Sequence, residues 1–291
     1  MDKIILFFIL ISYSLTTFSQ ENKRDTADAC PTVYLIGVFH SRHFDKKYNY
    51  SIIDLKNQIV ALKPDLVCGE ITPDAINKPM EGYYPPEVAL LAELASILNY
   101  RFEPVDWRLD YATQSRAASE YPQSVKQEGA ELIKKLNDDI EQYKGESIYD
   151  YFHDKETLHA LDSLYENIIC KNALSEIAAG SWNERNRCII ENGMAAAGQA
   201  QTIVFVFGID HLPQLQRYLK KIGIEALIPK RMFIPDNNYK VPEEVLERWK
   251  RNLENLISIR DKKVPATYDN YNKVVNSNRI QDIQKAIEAS N

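Results

Sequence analysis

The chain has 291 residues and a formal net charge of -6, from 35 Lys and Arg against 41 Asp and Glu. With 45% hydrophobic and 26% charged residues, 10 Gly, 13 Pro and 4 Cys, it is neither a disordered chain, a collagen-like repeat nor a disulfide-dense miniprotein. The acidic balance excludes a nucleic-acid binder that works through a general basic surface, and the length suits one large domain or two small ones.

Met1–Gln20 has the three-part pattern of a secretory signal peptide: Lys3, the apolar run Ile4–Leu15, and a polar exit at Thr16–Gln20. The apolar run is short for a membrane span. No Cys stands at the exit to carry a lipid anchor, since Cys30 falls well past it. The chain is therefore expected to be exported, periplasmic or secreted, with no stable membrane span once the signal is cleaved. Export opens a disulfide reading. Cys30, Cys68, Cys170 and Cys188 allow two bridges in three pairings. Cys68 lies in an apolar run and equally reads as a free core thiol. There is no CxxC, so a zinc knuckle is not expected.

After a polar leader, Thr32–Val38 is a β-branched and apolar run, the signature of a strand buried on both faces. Ser51–Leu62 fits a helix stopped by Pro64, and Asp65–Glu70 a second short strand. Pro86 starts a helix that runs to Leu98, and Tyr100–Asp106 reads as a third strand. Residues 110–200 turn polar and helical, with amphipathic stretches at Ser124–Tyr143, Lys155–Ala179 and Trp182–Ala197. The strand signal returns at Thr202–Gly208. A helix follows at Leu212–Ile222, closed by Gly223, with a last strand expected at Ile224–Ile228. Beyond residue 235 the chain is polar, with helices expected at Pro242–Arg260 and Arg279–Ala289. The alternation predicts an α/β fold, a mostly parallel sheet flanked by helices. Residues 21–235 would form the domain, 110–200 a helical insertion or cap, and 236–291 a helical C-terminal extension.

Two strand ends repeat one pattern: Gly37-x-x-His40 after the first strand and Gly208-x-x-His211 after the fourth. Glycine lets the chain turn tightly as it leaves the sheet. The histidine then stands at the carboxyl edge, where open α/β sheets bind ligands. A helix N-terminus there favours the neutral imidazole, which can bind a metal or act as a base. Glu70 ends the second strand and Asp106 the third. His40, His211, Glu70 and Asp106 thus make a candidate site for Zn²⁺, Mn²⁺ or Fe²⁺. They equally make a metal-free acid/base site, with Glu70 polarising a water and His40 or His211 moving its proton. Arg185, in Trp182-Asn183-Glu184-Arg185-Asn186-Arg187, offers a planar fork to a substrate carboxylate or an oxyanion; the bare sequence also reads it as a surface-helix residue. His43 reads as a second ligand or, in its polar loop, an exposed residue. His153 and His159 read as surface residues of the insertion. No G-x-S-x-G elbow surrounds Ser41, so a hydrolase-fold serine nucleophile is unsupported.

Gly37-x-x-His40, Lys63-Pro64-Asp65-Leu66-Val67-Cys68-Gly69-Glu70, Glu184-Arg185-Asn186 and Gly208-Ile209-Asp210-His211-Leu212 occur in an order that resembles the TraB/GumN and TIKI superfamily, with erythromycin-esterase-like and ChaN-like relatives. The likeness spans about Thr32 to Pro229. It departs from the family at Phe39, where a smaller or polar residue is commoner, and in the middle region. The resemblance implies a hydrolase acting on a peptide or ester bond of a small-molecule or peptide substrate, with His40, Glu70, Arg185 and His211 in the site. In the TIKI branch it implies Mn²⁺ or Co²⁺. The ChaN-like branch implies the alternative, a non-catalytic haem- or metal-binding exported protein. A degenerate member serving only as an interaction surface is a third reading.

Overall fold

The computed structural model describes residues 30–261 and 277–291; the expected signal peptide lies outside them. Four strands, β1 (Thr32–Val38), β2 (Leu66–Gly69), β3 (Arg101–Pro104) and β4 (Thr202–Gly208), form one all-parallel sheet in the order β1-β4-β2-β3. The α-helices are α1 (Ile52–Leu62), α2 (Pro86–Leu98), α3 (Tyr111–Glu120), α4 (Gln123–Gln142), α5 (Ile148–Phe152), α6 (Lys155–Leu164), α7 (Ala173–Ala178), α8 (Trp182–Ala197), α9 (Leu212–Lys221), α10 (Glu243–Arg260) and α11 (Ser277–Ser290). The protein is an α/β fold with a helical tail.

The continuous apolar strands have the burial that their sequence predicts, because helices cover both faces of the sheet. On one face, Ile36, Val38, Val67, Val204 and Val206 join α1, α2, α10 and α11 in a single core. Trp249, Leu256, Ile283 and Ala286 are buried there, so the C-terminal helices complete this layer. On the other face, Val33, Leu35, Cys68, Ile203, Phe205 and Phe207 pack on α8 and α9 through Ile189, Ile190, Leu212 and Leu215. Local chemistry sets the helix ends. Ser51 and Asp54 form a reciprocal capping box at the start of α1, and Lys63 closes it in the left-handed region just before Pro64.

Three expected elements come out shorter. The last strand reduces to one bridge, Tyr34 to Leu227, because Pro229 has no N–H to continue the ladder. The third strand stops at Pro104 for the same reason, which leaves Asp106 just past it. The long helix expected over 155–179 breaks into α6, a π-turn at Tyr165–Ile169, and α7, where the Asn172 side chain accepts the Ser175 N–H and caps a new helix. All four cysteines are free: Cys68 is fully buried, Cys30 is exposed, and Cys170 and Cys188 lie between. Of the readings open in the sequence, the two-disulfide one is therefore corrected. No described helix is long and apolar enough to cross a membrane.

Candidate active site

The strand order builds the site. Because β4 inserts between β1 and β2, the chain leaves three adjacent strands carrying His40, His211 and Glu70 respectively. Val38 lies opposite Gly208 in the register and Gly69 opposite Val206, so these exits are nearly level. Adjacent strands sit about 4.8 Å apart, which brings side chains far apart in sequence into contact.

Glu70 is the hub and is buried. Its Oε2 accepts the Gly208 N–H at 2.7 Å. Its Oε1 accepts from Arg185 Nη2 at 2.9 Å and from Arg108 Nη2 at 3.4 Å, and lies 3.8 Å from His211 Nε2. A Cβ on Gly208 would stand 3.0 Å from His40 Nε2 and 3.4 Å from Glu70 Oε2. The second glycine of the repeated pattern is therefore the surface on which the imidazole and the carboxylate both rest. Burial would raise the Glu70 carboxyl, but His211 (in the acid range where it is protonated), His40, Arg185 and Arg108 outweigh it and hold the group well below the usual carboxylate range.

Arg185 is not a surface residue. It is buried, with Nε and Nη2 donating to the two oxygens of Asp106 at 2.8 and 2.9 Å, a paired geometry that locks both planes. Arg108 Nε donates to Asp106 Oδ2 at 2.7 Å. Burial opposes the Asp106 charge, yet the two guanidinium groups keep its pKa lowered. Arg185 is thus spent on positioning Glu70 and Asp106. Arg108 is the more accessible cation, about one-third exposed and lying 5.5 Å from the Tyr84 ring centre.

The two histidines differ. His211 Nδ1 donates to Asn186 Oδ1 at 2.7 Å, and the Asn186 amide is fixed by its own donation to the Trp182 carbonyl at 2.8 Å. The lone pair of Nε2 is left on the Glu70 side. Burial first, then the Arg185 charge, lowers the His211 pKa to about 3, so it is neutral at any ordinary pH. Its ring stacks on Trp182, which stacks on Tyr165. His40 takes the left-handed φ of 61°, a costly backbone state for a residue with a Cβ. Its Nδ1 donates to the buried Glu87 carboxylate at 2.7 Å. Burial lowers its pKa, but Glu87 and Glu70 overcome that and raise it above the usual value. The two imidazoles are therefore tuned in opposite directions.

The structure brings together His40, Glu70, Asp106, Arg185 and His211. It adds Glu87, Arg108 and Asn186, which the sequence reading did not single out. Asn186 stands beside Arg185 in the quoted Glu184-Arg185-Asn186, and Arg108 lies two residues past Asp106, so proximity to known candidates was the available signal. Glu87 gave none beyond being an acid in a first helical turn.

Two histidine readings are corrected. His43 is fully buried, its Nδ1 donating to the Tyr50 carbonyl at 2.9 Å, and burial lowers its pKa to about 4. Its ring meets Phe39 and Tyr50 edge-on, and Phe39 in turn packs on Tyr48, Tyr50 and Phe152, an aromatic cluster that also explains a phenylalanine before His40. His153 is partly buried. Its Nδ1 donates to the Tyr149 carbonyl and its Nε2 accepts the Gly37 N–H, both at 2.8 Å. Burial lowers it to about 4 as well. His159 is exposed.

The donor set expected for a metal does not fit one. Both oxygens of Glu70 and both of Asp106 already accept hydrogen bonds, mostly from guanidinium groups whose charge opposes a cation. Among the described residues, no group of three or more His, Cys, Asp and Glu side chains is placed to hold a metal ion. A cavity of about 290 Å³ opens beside His40, Gly208 and Asp210, walled mainly by apolar residues of α4, α5 and α6. It stands near the lower end of the roughly 300–1,000 Å³ that holds drug-sized ligands.

Comparison of the chain with protein-family models, with curated proteins and with solved structures found no match.

Proposed function

We propose that this chain is an exported hydrolase of the TraB/GumN and TIKI type that cleaves an ester or peptide bond without a metal. The observation that carries the reading is the pairing of His40 with Glu87 on one ring nitrogen, while the other stands over Gly208 beside Glu70. A carboxylate on Nδ1 fixes the tautomer and leaves the Nε2 lone pair for a water. In the reaction, water oxygen bonds to the carbonyl carbon as His40 Nε2 takes its proton. The resulting oxyanion is met by the Arg108 guanidinium. Collapse re-forms the carbonyl, breaks the bond to the leaving oxygen or nitrogen, and returns the proton from His40 to it. Glu70, held ionised by Arg185, stabilises the imidazolium in between, and neutral His211 orients the water.

The test is hydrolysis of p-nitrophenyl butyrate by the full chain, wild type against His40→Ala, with and without EDTA. Loss of a general base costs roughly 10²- to 10⁴-fold. The expected result is a fall of at least about 100-fold in the variant and no effect of EDTA. Equal rates in the two proteins would sink the hydrolase reading, and an EDTA-sensitive rate would restore the metal.

A further inference from the structure

Resting on that reading, we propose that the cavity beside His40 is the subsite for an apolar acyl group, and that the substrate is an ester of a medium-chain or similarly sized hydrophobic acid. The walls are Val38, Leu136, Ile140, Phe152, Leu161 and Leu164, and the cavity meets the site at His40 and Gly208. The acyl carbon of a bound ester would thus lie at His40 with its chain running under α4.

Four of the polar side chains on the wall, Arg42, Asn137, Tyr165 and Asp210, are engaged with partners; His40, Tyr151 and Thr157 complete the polar lining. Arg42 donates to Asn137 Oδ1 at 3.0 Å, and Asn137 donates to the Ile133 carbonyl at 2.9 Å. Tyr165 Oη donates to Asp210 Oδ2 at 2.9 Å. The engaged groups need no substrate partner, so an apolar chain laid along Leu136, Ile140, Leu161 and Leu164 leaves them satisfied.

The roof supplies a second observation. Ile133, Leu136 and Ile140 recur along one face of α4 at helical spacing, yet of this long helix only Gly129 is buried. Of that face, Ile140 packs against the core and Ile133 is 46% exposed, while all three residues line the cavity. Such a face needs an apolar occupant to be fully covered. The volume sets the size. A cavity of about 150 Å³ takes one benzene, so about 290 Å³ takes at most roughly twelve carbons, and fewer once the ester end is seated. The chain it fits best has roughly six to ten carbons.

The experiment is a p-nitrophenyl ester series from acetate to dodecanoate, run on the full chain as wild type, Leu136→Trp and Ile140→Ala. Each buried methylene is worth up to roughly fourfold. Wild-type kcat/KM should rise at least tenfold from acetate to the octanoate range and fall again by dodecanoate. Leu136→Trp, at a half-exposed position, should lower the octanoate-to-acetate ratio at least tenfold, and Ile140→Ala should move the optimum to longer chains. A flat or falling wild-type profile that neither variant alters would overturn the proposal. A failed hydrolase reading is told apart by His40→Ala matching wild type on every ester. Calorimetric titration with octanamide, which needs no turnover, then decides the subsite. Binding that is lost in Leu136→Trp upholds it, and no binding to wild type overturns it.

Discussion

His40 is the residue of the site with a left-handed backbone, and a buried carboxylate supports its ring. Glu87 acts through His40, so it is a positioning residue whose effect belongs in a pH profile. Replacing it by Gln keeps an acceptor for Nδ1–H but removes the charge. Burial, the largest influence, then lowers the His40 pKa with less opposition. A general base must be unprotonated, so the acid limb of kcat/KM should move to lower pH in Glu87→Gln. An unmoved limb in pH–rate measurements would show that the titrating group is not His40. At this scale the positions of the strand-end residues were legible in the sequence, because an apolar run followed by Gly marks where a strand leaves the sheet. The sequence was read poorly for His43 and His153. Both sit among polar neighbours in sequence, and their burial comes from Tyr50, Tyr149 and Gly37, which only folding brings to them.

At the scale of elements, the turn after β4 and the start of α8 hold the site from opposite sides. Gly208 has a φ of -47°, so glycine is not needed there for backbone freedom; it is needed for the space that His40 Nε2 and Glu70 Oε2 occupy. The added methyl of Gly208→Ala meets side-chain tips that can swing away, and the lost chain entropy of glycine slightly favours the variant. The expected outcome is a melting temperature within about 3 °C of wild type and a kcat/KM at least about tenfold lower, measured on one preparation. Unchanged activity would mean the imidazole does not act from where it stands. The α8 segment was legible as a helix, but Arg185 was not legible as buried. A single arginine in a polar helix reads as solvated until Asp106 and Glu70, from two other elements, supply the charges that allow its burial.

Across the described residues, three histidines are kept neutral: the buried His43 and partly buried His153 at about 4, and the buried His211 at about 3. Their folded pKa values lie below the ordinary 6.5, so the unfolded chain takes up protons that the native state refuses. Stability is then lost as pH falls from about 6.5 towards 4, at up to roughly 1.4 kcal/mol per pH unit for each group. His40 has the opposite sign. Its contribution is complete below 6.5 and fades as pH rises through its raised value. The depressed Glu70 and Asp106 add their loss only below the ordinary carboxylate range. The raised Asp210 and Asp54 carboxyls act with the opposite sign. Denaturant titrations at a series of pH values from 6.5 to 5 should show stability rising with pH, with a slope smaller by up to about one proton in His153→Gln. An identical slope in that variant would place His153 in solvent.

Periodicity, caps and proline stops are local, and they carried the α/β class, the four main strands and most helix boundaries, since each depends on neighbours within a turn or two. Strand order, the partners of each charge and the burial of single polar residues depend on contacts across the whole chain. The insertion of β4 between β1 and β2 decided them, because it sets His40, Glu70 and His211 on adjacent strand exits and leaves an apolar cavity beneath α4.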